Sequence, residues 1–175
     1  MSKLFGAVVQ QGYVVPDMAK AIDHWVARGV GPFYLQDDIR LASEHFGEPQ
    51  ETHIAAAFAY SGDQQIELIH PYPDSGKTIY ADYLADHPDG GLQHLAVWTE
   101  DVDGKLAELK EQGVNCVVAH RYIGSHAYLD FPDAPGPMIQ LMPHDDLHIR
   151  MFKVIKDGAE SWDGKTDPVR GSEWR

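Results

Sequence analysis

The chain has 175 residues, of which 43% are hydrophobic, and a formal net charge of −13, which fits one globular domain. The 14 basic residues are scattered, so no basic patch is available to neutralise nucleic-acid phosphates or an anionic membrane surface. The single cysteine, Cys116, excludes an internal disulfide. The opening residues, MSKLFGAVVQQGYVV, lack the features of a signal peptide, and no run approaches the roughly 18 apolar residues of a membrane span. We therefore predict a cytoplasmic protein that binds neither nucleic acid nor membrane.

The first part of the chain reads as a strand, a helix and three further strands. The strand over residues 5–15 ends at Pro16, and Asp17 is placed to cap a helix that reaches about Ala27. That helix carries an apolar stripe formed by Met18, Ala21, Ile22, Trp25 and Val26. The rest comprises a short strand at 33–36, a charged loop at 37–50, and strands at 52–60 and 65–71.

The second part repeats this order after a connecting segment. Residues 73–90 form the linker, with a short helix at 77–86. The elements that follow are a strand at 91–99, a helix at 101–112, and strands at 114–120, 126–131 and 138–142. A terminal helix is expected at 145–157, and residues 161–175 are expected to be extended or partly disordered.

Two pairs of segments indicate an internal duplication. When Asp101 of GLQHLAVWTED is aligned with Asp17 of QQGYVVPD, His94 falls on Gln10. When the apolar strands QIELIHP and PMIQLMP are aligned, Glu67 falls on Gln140. The sequence thus predicts an α+β fold made of two βαβββ modules, at 1–72 and 91–144, with a C-terminal helix and tail at 145–175.

These segments resemble the vicinal oxygen chelate superfamily, which includes glyoxalase I, methylmalonyl-CoA epimerase, extradiol dioxygenases and bleomycin-resistance proteins. The likeness is strongest to the epimerase-like branch, and it is carried by GYVVPDMAKAIDHW, QIELIHP and GLQHLAVWTEDVD. The resemblance implies that the two modules pair into a half-barrel cup. It also implies that Gln10, Glu67, His94 and Gln140 meet at the floor of that cup.

Members of the superfamily that use a metal commonly hold it at these four positions. Gln10, Glu67 and His94 match the family pattern, whereas Gln140 replaces a carboxylate by an amide. One imidazole, one carboxylate and two amide oxygens suit a six-coordinate divalent ion such as Mn, Co, Ni, Mg or Zn. The alternative is a metal-free pocket in which the four side chains form a hydrogen-bonded cluster, as in bleomycin-resistance-like relatives.

The residue at position 140 also limits the mechanism. In epimerase- and glyoxalase-like enzymes, carboxylates at the metal move the proton next to a carbonyl group. Because an amide cannot act as that base, Glu67 is the candidate catalytic residue. The alternative is a pocket residue that does not bind the metal, for which His70, His126, Tyr60 and Tyr128 are candidates by composition only. His70 alternates away from Glu67.

The expected substrate pocket surrounds the four floor residues. Gly12 and Ala96 are small residues that would leave room above the floor, and Trp98 shares a strand face with His94. Tyr60 and Tyr128 are further pocket candidates. A tryptophan in the wall favours a fairly large ligand that is partly apolar or planar.

Three functions remain open at this point. The first is a metal-dependent isomerase or lyase that acts on a small carbonyl or thioester substrate through an enolate. The second is a metal-free small-molecule binding protein. The third is an extradiol dioxygenase, which needs two histidines and one glutamate around iron, so Gln10 counts against it. The partners expected are a small-molecule substrate and, as one option, a second copy of the chain in a homodimer.

Overall fold

The computed structural model describes residues 2–172, within which the chain forms nine strands and four helices. The strands are β1 (Val8–Val14), β2 (Phe33–His45), β3 (Glu48–Ser61), β4 (Gln64–Pro71), β5 (Gly91–Thr99), β6 (Val117–Tyr122), β7 (Ala127–Asp130), β8 (Met138–Pro143) and β9 (Val169–Gly171). The helices are α1 (Met18–Val26), α2 (Ile79–Asp86), α3 (Val102–Glu111) and α4 (Asp146–Ser161). The order strand, helix and three strands occurs twice, and the fold is α+β.

Eight of the strands form a closed, barrel-like sheet in the order β3-β4-β1-β5-β8-β7-β6-β2, and β2 pairs again with β3. The sequence predicts an open half-barrel, whereas this sheet closes on itself, and the loop predicted at 37–50 is wrong. The segment instead continues β2, turns at Phe46 and Gly47, whose φ angles are 49° and 81°, and returns as β3. The far end of β2 pairs with β6, from Ser43 opposite Tyr122 to His45 opposite His120, which closes the ring.

The charges in this segment explain why it reads as a loop in the sequence. Asp37, Asp38 and Arg40 are exposed on β2, and Asp38 has a positive φ angle where the register with β3 shifts. A strand whose outer face carries charges in succession loses the simple alternation that identifies strands.

The predicted helix starts at Asp17 and Asp101 are confirmed. The Asp17 carboxylate accepts a hydrogen bond from the backbone N–H of Lys20, and Asp101 accepts one from Gly104. The terminal helix is longer than predicted, since α4 continues to Ser161. The following segment includes β9, which pairs with β2 through Phe33 opposite Val169, and residues 173–175 lie outside the described part of the chain.

The centre of the barrel sheet places the two repeated segments side by side. Strands β1 and β5 are antiparallel, with Gln10 opposite Ala96 and Gly12 opposite His94. On the outer sides, β4 runs parallel to β1 with Glu67 opposite Gly12, and β8 runs parallel to β5 with Gln140 opposite Ala96. Because residues opposite one another share a face, Gln10, Glu67, His94 and Gln140 all project to the same side.

Helix α4 packs over this same face. Its Phe152 belongs to a core cluster with Ala96 and Met142, and its Ile155 packs with Tyr34 and Phe58. The interior of the barrel is therefore covered at one end by a helix that follows the repeated part of the chain. No helix within residues 2–172 has the length and apolar character needed to cross a membrane.

A buried histidine in the barrel wall should make stability depend on pH. His120 is 0% exposed, its Nε2 lies 3.2 Å from Thr52 Oγ1, and its Nδ1 has no hydrogen-bond partner. Burial, followed by the neighbouring His45, lowers the pKa of His120 to about 4. The unfolded chain protonates this imidazole near pH 6.5, whereas the folded chain does so only near pH 4. The neutral buried His120 therefore contributes to the free energy of unfolding above pH 6.5, and this contribution is lost as the pH falls towards 4.

We expect His120→Phe and His120→Gln to reduce this pH dependence. Between pH 7 and pH 5 the wild type should lose on the order of 2 kcal/mol more unfolding free energy than either variant, because only the wild type gains the proton on unfolding. Urea unfolding at the two pH values measures the difference. His120→Gln keeps a hydrogen-bonding group for Thr52, so it controls for lost packing. Equal pH dependence in all three proteins would contradict the assignment.

Candidate metal centre and substrate cavity

Four polar side chains from four adjoining strands meet inside the barrel. They come from β1, β4, β5 and β8, and their relative exposures are 1% for Gln10, 8% for Glu67, 0% for His94 and 3% for Gln140. These are the four residues that the sequence predicts at the floor of the cup. The structure brings them together because the two central strands and their parallel neighbours share one register and one face.

Each of the four residues has a buried polar atom without a hydrogen-bond partner. The atoms are Gln10 Oε1, Glu67 Oε2, His94 Nε2 and Gln140 Oε1. His94 Nε2 lies 3.3 Å from Glu67 Oε2, but the two atoms do not have hydrogen-bond geometry. Leaving a buried polar atom unpaired typically costs about 1–3 kcal/mol, so four in one place require an explanation.

The remaining polar atom of three of these side chains is held by a neighbour. Gln10 Nε2 donates to Gln65 Oε1 at 2.7 Å, and Gln140 Nε2 donates to the Tyr128 hydroxyl at 2.8 Å. His94 Nδ1 lies 2.7 Å from Gln93 Oε1, which can only accept, so Nδ1 carries a proton, and in the neutral ring Nε2 keeps its lone pair. These outer partners orient two amide oxygens and one imidazole lone pair as metal ligands are oriented.

The donor set fits a divalent ion that accepts mixed ligands. It offers one imidazole nitrogen and three oxygens, of which one is anionic, so a bound divalent ion would retain about one positive charge. Within residues 2–172 no group of three or more His, Cys, Asp or Glu side chains is placed to hold a metal. The floor contributes two residues of these types, Glu67 and His94, because its other two members are amides.

A cavity of about 460 Å³ opens above the floor. Gln10, Glu67 and Gln140 reach its lower wall, and its sides are largely apolar. The apolar lining includes Ile39, Ile54, Phe58, Met142 and Met151. A pocket of this size with few polar groups at one end is typical of small-molecule sites.

Three buried tyrosines form the polar part of the side wall. The Tyr80 hydroxyl lies 2.8 Å from the Tyr122 hydroxyl and donates to the Tyr128 oxygen at 2.9 Å. Burial raises the pKa of Tyr80 and Tyr128 well above the usual value, so both phenols are neutral donors and not bases. Since Tyr128 also accepts from Gln140, the tyrosine cluster links the cavity wall to the floor.

A histidine pair completes the cavity. His126 and His148 lie with ring centroids 4.9 Å apart, and His126 Nδ1 lies 2.6 Å from Ser125 Oγ. Burial, followed by His148 and His94, lowers the pKa of His126 to about 3, so its ring is neutral at ordinary pH. In the sequence, His126 is a candidate by composition only, although its alternation with Tyr128 could have placed it on the same face. Tyr80 could not be found in this way, because it belongs to helix α2 in the linker.

Four predicted pocket residues occupy other positions. Trp98 and Tyr60 pack on Phe152 with ring centroids 4.6 Å and 6.3 Å apart, beneath α4 and away from the cavity lining. Ala96 is fully buried in the same cluster. Gly12 does not leave room for a ligand, because a Cβ at this position would overlap the imidazole ring of His94. Helix α4 covers the part of the face that holds Trp98, Tyr60 and Ala96, and the His94 ring fills the space beside Gly12, whereas Tyr128 lines the cavity.

Comparison with known proteins identifies the family. Residues 9–129 match the sequence model of the Glyoxalase/Bleomycin resistance protein/Dioxygenase superfamily, and the chain belongs to this superfamily. A curated relative, the mitochondrial methylmalonyl-CoA epimerase of Dictyostelium discoideum, is 28% identical over 99 residues, which are 53% of this chain and 58% of the relative. The chain thus aligns with a little over half the length of that relative.

Solved structures show the same fold at low sequence identity. Methylmalonyl-CoA epimerase from Mycobacterium tuberculosis matches with a TM-score of 0.55 and 23% identity, covering 85% of this chain and 95% of the other. A Streptomyces coelicolor methylmalonyl-CoA epimerase variant in complex with 2-nitronate-propionyl-CoA matches with a TM-score of 0.56 and 20% identity, covering 81% and 96%. A hypothetical protein from Bacillus halodurans matches with a TM-score of 0.55 and 19% identity, covering 80% and 95%.

Proposed function

We propose that this protein is a metal-dependent isomerase or lyase that forms an enolate from a small carbonyl or thioester substrate. The observation that carries the proposal is the group of four unpartnered buried atoms on Gln10, Glu67, His94 and Gln140. A hydrogen-bonded cluster without a metal would pair these atoms with one another or with neighbours. Their outward-facing amide and imidazole groups are paired, and the atoms that meet in the centre are not.

The four floor residues would hold the divalent ion. The ion would supply a positive charge that stabilises negative charge developing on a substrate oxygen. With one anionic ligand, the site favours an anionic oxygen as a further ligand over a neutral one. Tyr128 lies beside Gln140 and is a neutral phenol, so its hydroxyl is suited to donate a hydrogen bond to the same substrate oxygen.

Glu67 is the residue that would move the proton. Among the described residues that line the cavity, Glu67 supplies the carboxylate, while the position of the second family carboxylate is Gln140. The tyrosines are too weakly acidic to be ionised, and His126 has too low a pKa to be an effective base near neutrality. The carboxylate of Glu67 would therefore accept the proton next to the substrate carbonyl and return it to the opposite face of the same carbon or to a neighbouring carbon.

The relatives support the reaction class. The curated relative and several structures of the same fold are methylmalonyl-CoA epimerases, one of them in complex with 2-nitronate-propionyl-CoA. Proton removal next to a carbonyl group is the step that epimerases and glyoxalase-like enzymes share. The repeated strand registers support the interpretation of the chain as two modules, at 1–72 and 91–144. The homodimer remains a prediction.

A metal-free binding protein is the second candidate. It is favoured by one observation, the amide at position 140, because loss of a carboxylate weakens retention of a divalent ion. An extradiol dioxygenase is disfavoured, since His94 is the single histidine among the four floor residues. Metal content distinguishes these candidates from the proposed enzyme.

Hydrogen exchange at carbon tests the proposed function. Protein loaded with Zn, Ni, Co, Mn or Mg is incubated in D₂O with 2-methyl thioesters and α-methyl ketones, and deuterium uptake at the α-carbon is followed by NMR. We expect exchange that depends on both protein and metal and disappears after chelation. Binding of these compounds without exchange under any metal would favour the binding protein.

A further inference from the structure

The mouth of the cavity is formed by exposed aliphatic side chains. Leu41, Ile123 and Leu147 all line the cavity, and they are 38%, 62% and 49% exposed. They come from β2, from the turn after β6 and from the first turn of α4. Three large apolar residues from separate elements that converge on one opening form a surface that a bound ligand would cover.

The interior continues this apolar character down to the polar floor. The residues between mouth and floor include Ile39, Ile54, Phe58, Met142 and Met151. Polar groups lie at the floor, on Glu67, Gln140 and the tyrosine cluster, and on part of the side wall, on Gln36, Ser125, His126 and His148. Outside that part of the wall, the surface between the floor and the mouth is largely apolar.

No lysine or arginine side chain is available to hold a phosphate at this opening, and the histidine beside it, His148, is paired with Asp145. Among the described residues that line the cavity, none is lysine or arginine. The arginine beside Leu41, Arg40, pairs with Asp38, Glu51 and Asp74 on the outer surface. Arg121, two residues before Ile123, pairs with Asp103. A phosphorylated carrier entering here would lose hydration without gaining charge-assisted hydrogen bonds.

We propose that the substrate is a compact compound without phosphate groups, with an oxygen-bearing head at the floor and an aliphatic or aryl body that fills the cavity and passes between Leu41, Ile123 and Leu147. This inference rests on the proposed function for the chemistry of the head, and on the cavity alone for the nature of the body. It separates this protein from relatives whose structures contain coenzyme A thioesters.

A series of 4-alkylphenols tests the inference independently of metal. Phenol, 4-propylphenol and 4-hexylphenol are titrated by calorimetry into metal-free protein and into Zn-loaded protein. In metal-free protein we expect affinity to rise roughly threefold to fourfold for each methylene group that becomes buried. An increase in the affinity of all three phenols on Zn loading is a separate test of the proposed metal site. The apolar-body inference and the proposed function can therefore fail independently of each other.

Two charge substitutions on α4 locate the apolar contact. Leu147→Glu places a carboxylate at the mouth, whereas Ile149→Glu places one at a position of the same helix that is 43% exposed and does not line the cavity. We expect Leu147→Glu to weaken 4-hexylphenol about tenfold or more with little effect on phenol, and Ile149→Glu to leave both unchanged. An affinity that does not depend on chain length, equal losses in the two variants, or displacement of 4-hexylphenol by micromolar propionyl-CoA would each overturn the inference.

Discussion

Glu67→Gln is expected to lower the rate of metal-dependent deuterium exchange by roughly 10²–10⁴-fold, the usual contribution of a positioned general base. The substitution keeps the size of the side chain and an oxygen that can face the metal, but it removes the single carboxylate among the cavity-lining residues that the structure describes. Because Glu67 is 8% exposed and packed in β4, the amide should fit without rearrangement.

The experiment must separate loss of the base from loss of the metal. Glu67→Gln also removes the anionic ligand, so exchange is measured at metal concentrations that saturate each protein, as established by titration. Glu67→Asp is the matched control, because it retains a carboxylate and should retain more activity than the amide. If saturated Glu67→Gln exchanges protons at the wild-type rate, another residue is the base.

Gly12→Ala is expected to displace His94 and so to disrupt the site without removing any polar group. A Cβ at position 12 would overlap the His94 ring, which is 0% exposed and cannot move into solvent. Overpacking of this kind typically costs about 1–3 kcal/mol in unfolding free energy. Metal affinity should fall together with stability, because the imidazole can no longer keep its bond to Gln93 and face the floor.

The neighbouring strand provides the control for this change. Ala96 occupies the matching position on β5, opposite Gln10, and is buried with Met142 and Phe152. Ala96→Gly should cost about 0.5–1 kcal/mol in stability, as glycine does within a strand or helix, but should leave His94 in place. Denaturant unfolding and metal titration of both variants measure the two effects. Equal metal affinity in Gly12→Ala and the wild type would show that the ring has room to adapt.

The sequence predicts the floor of the site better than its walls, for a physical reason. Gln10, Glu67, His94 and Gln140 lie on regular strands of a repeated pattern, so alternation and alignment place them on one face. Their convergence is therefore encoded locally. Their roles as ligands and base stay predictions.

The walls depend on segments that have no counterpart in the repeat. Tyr80 belongs to the helix that connects the repeated parts, and Leu147 and Met151 belong to α4. Their positions result from tertiary packing across the barrel, which strand periodicity does not record. The same helix explains Trp98, which alternation assigns to the correct face but which α4 covers through Phe152.

The sequence does not predict the closure of the barrel, because charged residues interrupt the alternating pattern of strand β2. The exposed Asp37, Asp38 and Arg40 suggest a loop, yet β2 continues past them to pair with β6. The backbone hydrogen bonds of the hairpin do not depend on the outward side chains, and the outer face of the barrel tolerates charges. This extension also brings Leu41 to the mouth of the cavity, so the loop predicted at 37–50 concealed part of the cavity wall.

Calorimetric titration of divalent metal into the wild type, His94→Ala and Gln140→Glu tests the central claim most directly. The account predicts one ion per chain for the wild type and an affinity loss beyond about 100-fold for His94→Ala, more than removal of an outer partner causes. It predicts tighter binding, by about tenfold, for Gln140→Glu, because a second carboxylate adds charge-assisted attraction in a buried site. Equal and negligible affinity in all three proteins would contradict the account and identify the cavity as a metal-free binding pocket.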